Sequence, residues 1–313
     1  MEYRTVGRSG LQVSIVGLGC NNFGMRIDAA AAQAVVNRAL DLGVTLFDTA
    51  ELYGMGASEE MLGKALGSKR QDVVVATKFG MPTAGLKAPG CGSRRYIMSA
   101  VEKSLKRLGT DYIDMYMVHF PDPVTPVEET ARALDDLVRA GKIRYAALSN
   151  VSSWQLVEAA FTTKIGGYSP YIAFENEWSL VDRSIEKDVL PAALKYGYGI
   201  LPYFPLAGGF LTGKYRQGEA MPAGGRLTEG ALAGLAGKYI TERNWGILAK
   251  ATAFAESRGH TVLELAMGWL LAQPGVPSII SGATTPEQVE ANVAAANWKL
   301  TPEEVAEVDS FTK

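Results

Sequence analysis

The feature that most narrows what this chain can fold into is a cadence. Short β-branched and apolar runs alternate, one for one, with longer segments of helical periodicity. Helical patterns over residues 29–42, 58–66, 94–108, 126–140, 152–161 and 184–196 each lead into a strand-like run: one begins at Val44, and the others span 73–77, 113–118, 143–148, 171–174 and 200–204. Strands joined through helices pair in parallel, because only a crossover of that length returns the chain to the same end of a sheet. No long linker or low-complexity tract breaks the cadence. The reading is therefore one α/β barrel domain over residues 1–313, preceded by a hairpin in YRTV-GRSG-LQVS and closed by a short strand over 278–280 and a helix capped near Thr285.

Parallel α/β folds place their chemistry where strands end. Three such ends carry reactive side chains: Asp48 and then Tyr53 in LFDTAELYGMGASEE, Lys78 in VVVATKFG, and His119 in YIDMYMVHF. Alone, each has an ordinary reading as a turn cap, a surface group or a satisfied buried imidazole. On successive strands of one sheet all four emerge at the same edge. A phenol with a pKa of about 10 is a weak acid at neutral pH, and a nearby ammonium favours its ionised form. The expected unit is Asp48 holding Lys78, Lys78 acidifying Tyr53, and His119 orienting a carbonyl oxygen that receives the proton. Such a site adds a proton and needs a separate source of hydride.

Other classes fit poorly. The net charge of -2 and the lack of a Lys/Arg cluster speak against nucleic acid, and no apolar run reaches the roughly 20 residues that span a bilayer. The start MEYRTVGRSG is too polar for a signal peptide, and two cysteines, Cys20 and Cys91, suit a reducing cytoplasm better than a disulfide framework. Two histidines without HxH or HExxH spacing imply no metal site and disfavour a metal-dependent hydrolase. SIVGLGCNNFG offers Gly17 and Gly19 of a dinucleotide fingerprint but has Asn22 in the third glycine position. His260 reads as a surface residue at a helix entrance.

In order along the chain, FDTAELYG with SEEMLGKAL, VVVATKFG, DYIDMYMVHFPD, IRYAALSN, PLAGGFLTGKY and SGATTPEQVEAN resemble the aldo-keto reductase superfamily. The resemblance implies a (β/α)8 TIM barrel with long loops at its C-terminal face. It also implies an oxidoreductase that interconverts carbonyl and alcohol with NADPH/NADP+, NAD(H) being the alternative, with Asp48, Tyr53, Lys78 and His119 as catalytic residues. By the same resemblance the cofactor would be held by Cys20, Asn21, Asp48, Ser149, Asn150, Glu175, Tyr203, Phe204, Pro205, Leu206, Ala207, Gly208, Lys214, Arg226, Gly282, Thr284, Gln288 and Asn292. The substrate wall would comprise Phe23, Met25, Tyr53, Met81, His119, Phe120 and Trp178. The same superfamily contains potassium-channel β-subunits, so a slow-turnover sensor or regulatory subunit is the second reading. A homo-oligomer is compatible with the sequence.

This chain also departs from the family pattern. Glu175 stands where Gln is usual; its charge would favour an oxidised, cationic nicotinamide and push the enzyme toward alcohol oxidation. Trp178 replaces a usual Tyr, and Phe204 stands where Ser often sits. Gly282 and Gln288 occupy positions that carry Lys and Arg in some members, which weakens the electrostatic preference for NADPH. The long loop after Tyr203 brings Lys214 and Arg226 as candidates to cover a pyrophosphate.

Overall fold

The structure is a computed structural model and describes residues 1–80, 90–222, 224–228 and 233–313. In chain order its strands are β1 (Tyr3–Thr5), β2 (Gln12–Ser14), β3 (Val16–Gly19), β4 (Leu46–Asp48), β5 (Val74–Phe79), β6 (Ile113–Val118), β7 (Ile143–Ser149), β8 (Tyr171–Glu177), β9 (Gly199–Tyr203) and β10 (Ile279–Gly282). The helices are α1 (Ala29–Asp41), α2 (Ala57–Leu66), α3 (Arg94–Leu108), α4 (Val127–Arg139), α5 (Ser153–Gly166), α6 (Val189–Tyr196), α7 (Ala236–Tyr239), α8 (Glu242–Glu256), α9 (Val262–Leu271), α10 (Pro286–Ala295) and α11 (Pro302–Thr312). β1 and β2 form the expected antiparallel hairpin. Among the described residues the other eight strands pair in parallel in the order β10-β3-β4-β5-β6-β7-β8-β9, and β9 lies against β10, giving a nearly closed (β/α)8 barrel.

Successive side chains on a strand face opposite sides, and the two sets have different neighbours here. Leu46, Val74, Ala76, Met115, Met117, Ala147, Ala173, Leu201 and Ile280 cluster in the bore together with Val6 and Val13 of the hairpin. The intervening Phe47, Val75, Phe79, Tyr116, Leu148, Phe174, Ile200 and Ile279 pack with the surrounding helices. The hairpin closes the bore at the amino ends of the strands. At its turn Gly7 has φ +52°, and a Cβ there would come within 2.3 Å of the Ile172 carbonyl oxygen, so this close approach admits only glycine.

The helix starts follow from local chemistry. Asp28, Ser93, Thr241, Thr261, Thr285 and Thr301 each accept an amide hydrogen bond at a helix entrance, and Pro286 and Pro302 sit in first turns where no amide is required. One predicted helix divides. Residues 184–196 form a 3₁₀ turn at Ser184–Glu186 and then α6, because Asp188 is non-helical at φ -145°. The restart puts Pro191 in the first turn, where its missing N–H costs nothing. The cadence also overlooked α8 and α11, which pack on each other. No described helix is long and apolar enough to cross a membrane.

Candidate active site

The parity that fills the bore with apolar groups changes character at the carboxyl ends. Two residues past an apolar bore position comes a polar one: Asp48 after Leu46, Lys78 after Ala76, His119 after Met117, Ser149 after Ala147, Glu175 after Ala173 and Tyr203 after Leu201. Lys78 lies at the centre and is fully buried. Its Nζ donates to Asp48 Oδ1 at 2.5 Å, to the Thr49 carbonyl at 3.1 Å and to the Tyr53 hydroxyl at 3.4 Å. Tyr53 opens a 3₁₀ turn in which Gly54 and Met55 both have positive φ. Glu51 pins that turn: its amide donates to the Lys78 carbonyl, and its Oε1 accepts from Gly80 N and the Tyr96 hydroxyl. The His119 ring meets Tyr53 edge-on with centroids 5.8 Å apart, and Phe120 stacks on His119. The four expected residues thus converge.

Their electrostatics differ from expectation in one respect. Burial raises the Tyr53 phenol above its usual range, and the Lys78 ammonium opposes this without overcoming it. The charges of Asp48 and Glu175 add to the rise. Glu175 Oε2 lies 3.5 Å from Nζ. Burial penalises the Lys78 charge, but Asp48 and then Glu175 more than offset that, so the amine stays protonated. Burial, and then repulsion from Asp48, raises the Glu175 carboxyl. Burial and the neighbouring Lys78 charge lower His119 to about 3, leaving a neutral imidazole at ordinary pH. Its Nδ1 has no hydrogen-bond partner.

These groups face a cavity of about 1050 Å³. Asp48, Tyr53, His119, Ser149, Asn150, Glu175, Tyr203, Phe204, Pro205, Leu206 and Gly208 all line it. Two consecutive residues would normally point to opposite faces, yet Ser149 with Asn150 and Tyr203 with Phe204 both contribute. The left-handed backbone of Asn150 (φ 56°) and Phe204 (φ 50°) breaks the alternation at those two strand ends. Asn150 is then fixed by the Tyr203 hydroxyl at 2.8 Å and by its own donation to the His119 carbonyl at 2.9 Å.

Along the cavity, Asn21, Met25, Lys214, Arg226, Gly282, Thr284, Gln288 and Asn292 form the remaining expected lining, with Phe120 at the mouth. Burial and repulsion from Arg26 and Arg226 lower Lys214, and burial and repulsion from Arg26 lower Arg226 to about 10. Arg226 Nε is buried without a hydrogen-bond partner among the described residues. Three cations converging with an unsatisfied guanidinium nitrogen are a donor set for a phosphate-bearing ligand. Gly282 adds to the fit: a Cβ there would point among Asn22, Arg226 and Asn21 at 3.4–3.7 Å, space a ligand could use. The chemistry of this lining suits an extended anionic cofactor. No group of acidic, His or Cys side chains among the described residues could hold a metal ion.

Several expected lining residues lie elsewhere. Trp178 is fully buried behind the barrel wall, edge-on to Trp269 with its indole N–H on Glu186. It stands an odd number of residues from inward-facing Glu175, so the pleat turns it outward. Cys20, one past Gly19, is turned away for the same reason, its thiol on the Leu18 carbonyl. Phe23 and Ala207 are fully buried in the outer core. Met81 lies outside the described residues. Arg26, Leu52, Met55, Thr212 and Ser281 line the cavity without having been singled out. The signal for Arg26 was its neighbour Met25; for Leu52 and Met55, their place in the Tyr53 turn.

Comparison with known proteins agrees with this geometry. The sequence pattern describing the aldo/keto reductase family matches residues 15–313. A protein of Schizosaccharomyces pombe provisionally named a voltage-gated potassium channel subunit beta is 39% identical, covering 99% of this chain and 93% of its own length. One of Oryza sativa subsp. japonica, also provisionally named a voltage-gated potassium channel subunit beta, is 36% identical over 100% of this chain and 97% of itself. The L-glyceraldehyde 3-phosphate reductase of Escherichia coli (strain K12) is 35% identical over 99% and 92%.

Proposed function

The chain belongs to the aldo/keto reductase family, and from that premise we propose that it interconverts an aldehyde or ketone and the corresponding alcohol with NADP(H), Tyr53 serving as the proton-transfer group. The observation that carries this reading is the Tyr53 hydroxyl, 3.4 Å from a buried ammonium that Asp48 holds at 2.5 Å, facing a cavity that Arg26, Lys214 and Arg226 line. The dinucleotide, when bound, supplies or accepts hydride at the reacting carbon. Lys214 and Arg226 would hold its phosphates, with Thr284, Gln288 and Asn292 at the adenosine end and Ser149, Asn150 and the Tyr203 ring around the nicotinamide. The Arg226 guanidinium beside Gly282 supports the phosphorylated dinucleotide over NAD(H).

Tyr53 stays protonated at neutral pH and so donates to the carbonyl oxygen in reduction; in oxidation the same oxygen takes the proton back. Lys78 stabilises the phenolate that donation leaves. Neutral His119 hydrogen-bonds the substrate oxygen and stabilises its developing charge. The apolar mouth formed by Met25, 53% exposed, and Phe120, 41% exposed, suits a hydrophobic carbonyl.

The similarity to proteins named as channel subunits favours a second reading, a cofactor-binding regulatory subunit with slow turnover. NADPH consumption over a panel of hydrophobic aldehydes, ketones and glyceraldehyde 3-phosphate separates the two. The enzyme reading expects multiple turnovers per second on at least one substrate, within the ordinary range of roughly 1–1000 per second. Tight NADPH binding with turnover only over minutes would favour the regulatory one.

A further inference from the structure

One ionisable side chain in the cavity neither gives nor takes the proton in the transfer described above. Glu175 is 3% exposed, lines the cavity beside Ser149, Asn150 and Tyr203, and presents an Oε2 without a hydrogen-bond partner. Its nearest opposite charge, Lys78 Nζ at 3.5 Å, is already engaged by Asp48 at 2.5 Å and by the Thr49 carbonyl. One ammonium therefore faces two buried carboxylates.

The other groups around Glu175 do not remedy this. Asp48 ends β4, Tyr53 follows in the turn, His119 follows β6 and Tyr203 ends β9; β7 and the residue after it contribute only the uncharged Ser149 and Asn150. Of these, none but Lys78 on β5 is a cation at neutral pH, since burial keeps His119 neutral. With both carboxylates ionised the cluster has one negative charge in excess, in surroundings where water screens little. Either a proton on Glu175 or a cation entering from the cavity balances it.

We propose that Glu175 gives the pocket a proton-controlled preference for the oxidised dinucleotide over the reduced one, a role that presupposes the nicotinamide cofactor proposed above. The oxidised ring is cationic and the reduced ring neutral. An ionised Glu175 attracts only the former; a protonated Glu175 behaves as a neutral amide would and distinguishes them little. By linkage, a cation that favours the ionised form must lower the carboxyl's proton affinity, so binding of the oxidised form releases a proton and binding of the reduced form does not.

The test is binding, not turnover. Dissociation constants for NADP+ and NADPH are measured by calorimetric and fluorescence titration from about pH 6 to about pH 9 in wild type and Glu175→Gln, where a shift of one pKa unit corresponds to tenfold in affinity. The 2'-phosphate is common to both nucleotides and cancels in their ratio. In wild type the ratio moves roughly tenfold toward NADP+ as pH rises. In E175Q it stays flat near the wild-type acid value, and the proton released on NADP+ binding, read in buffers of different ionisation enthalpy, disappears. A ratio independent of pH in wild type overturns the role, even if the variant fails to fold, and so does one that E175Q leaves unchanged. Failure of either nucleotide to bind wild type removes the cofactor reading itself and this role with it.

Discussion

The two ends of the barrel bore are built by the same strands and behave as different materials. Toward the amino ends, Leu46, Val74 and Met115 pack with Val6 and Val13 of the hairpin in one apolar cluster. Two to four residues further along, the same strands present Asp48, Lys78 and His119, and β8 presents Glu175, all buried. The lower half contributes stability by apolar burial; the upper half costs stability, since each buried charge needs a partner and Lys78 must serve two.

The largest expected effect tests the upper end alone. Tyr53→Phe removes one hydroxyl and should reduce turnover by about 100- to 10,000-fold while leaving NADPH affinity and thermal stability close to wild type. Unchanged turnover on the best substrate would dissociate Tyr53 from the chemistry. The converse substitution probes the lower end. Leu46→Ala, at a fully buried site against Gly17, should cost about 2–5 kcal/mol in urea unfolding with little change in turnover of the folded fraction. A large loss of turnover at full stability would mean that the two ends are not separable. A smaller effect sharpens the picture at the cavity edge: Arg226→Gln should weaken NADPH by about 1.5–3 kcal/mol, the range of a charged hydrogen bond, and weaken NADH less. Equal losses for both nucleotides would place Arg226 away from the 2'-phosphate.

Much of this was legible before any coordinates. The hairpin, the alternation of strands and helices, and the cap at Thr285 rest on interactions within a few residues. The meeting of Asp48, Tyr53, Lys78 and His119 needed only that the strands be parallel and end together. Period-two parity also held the signal that Trp178 and Cys20 face outward, and reading each motif as a block of family positions obscured it. Phe23 and Ala207 had no such signal, because they sit in turns where alternation does not apply.

What the sequence by itself determined is therefore the order of elements, the direction of the strands and which residues stand at their ends, since periodicity, capping and turn chemistry act locally. Only the tertiary structure decided that Glu175 competes with Asp48 for one ammonium, that Tyr53 remains a weak acid, and that Asn150 and Phe204 turn into the cavity. Those outcomes depend on distance and burial between groups far apart in the chain, and the energy of a charge depends on both.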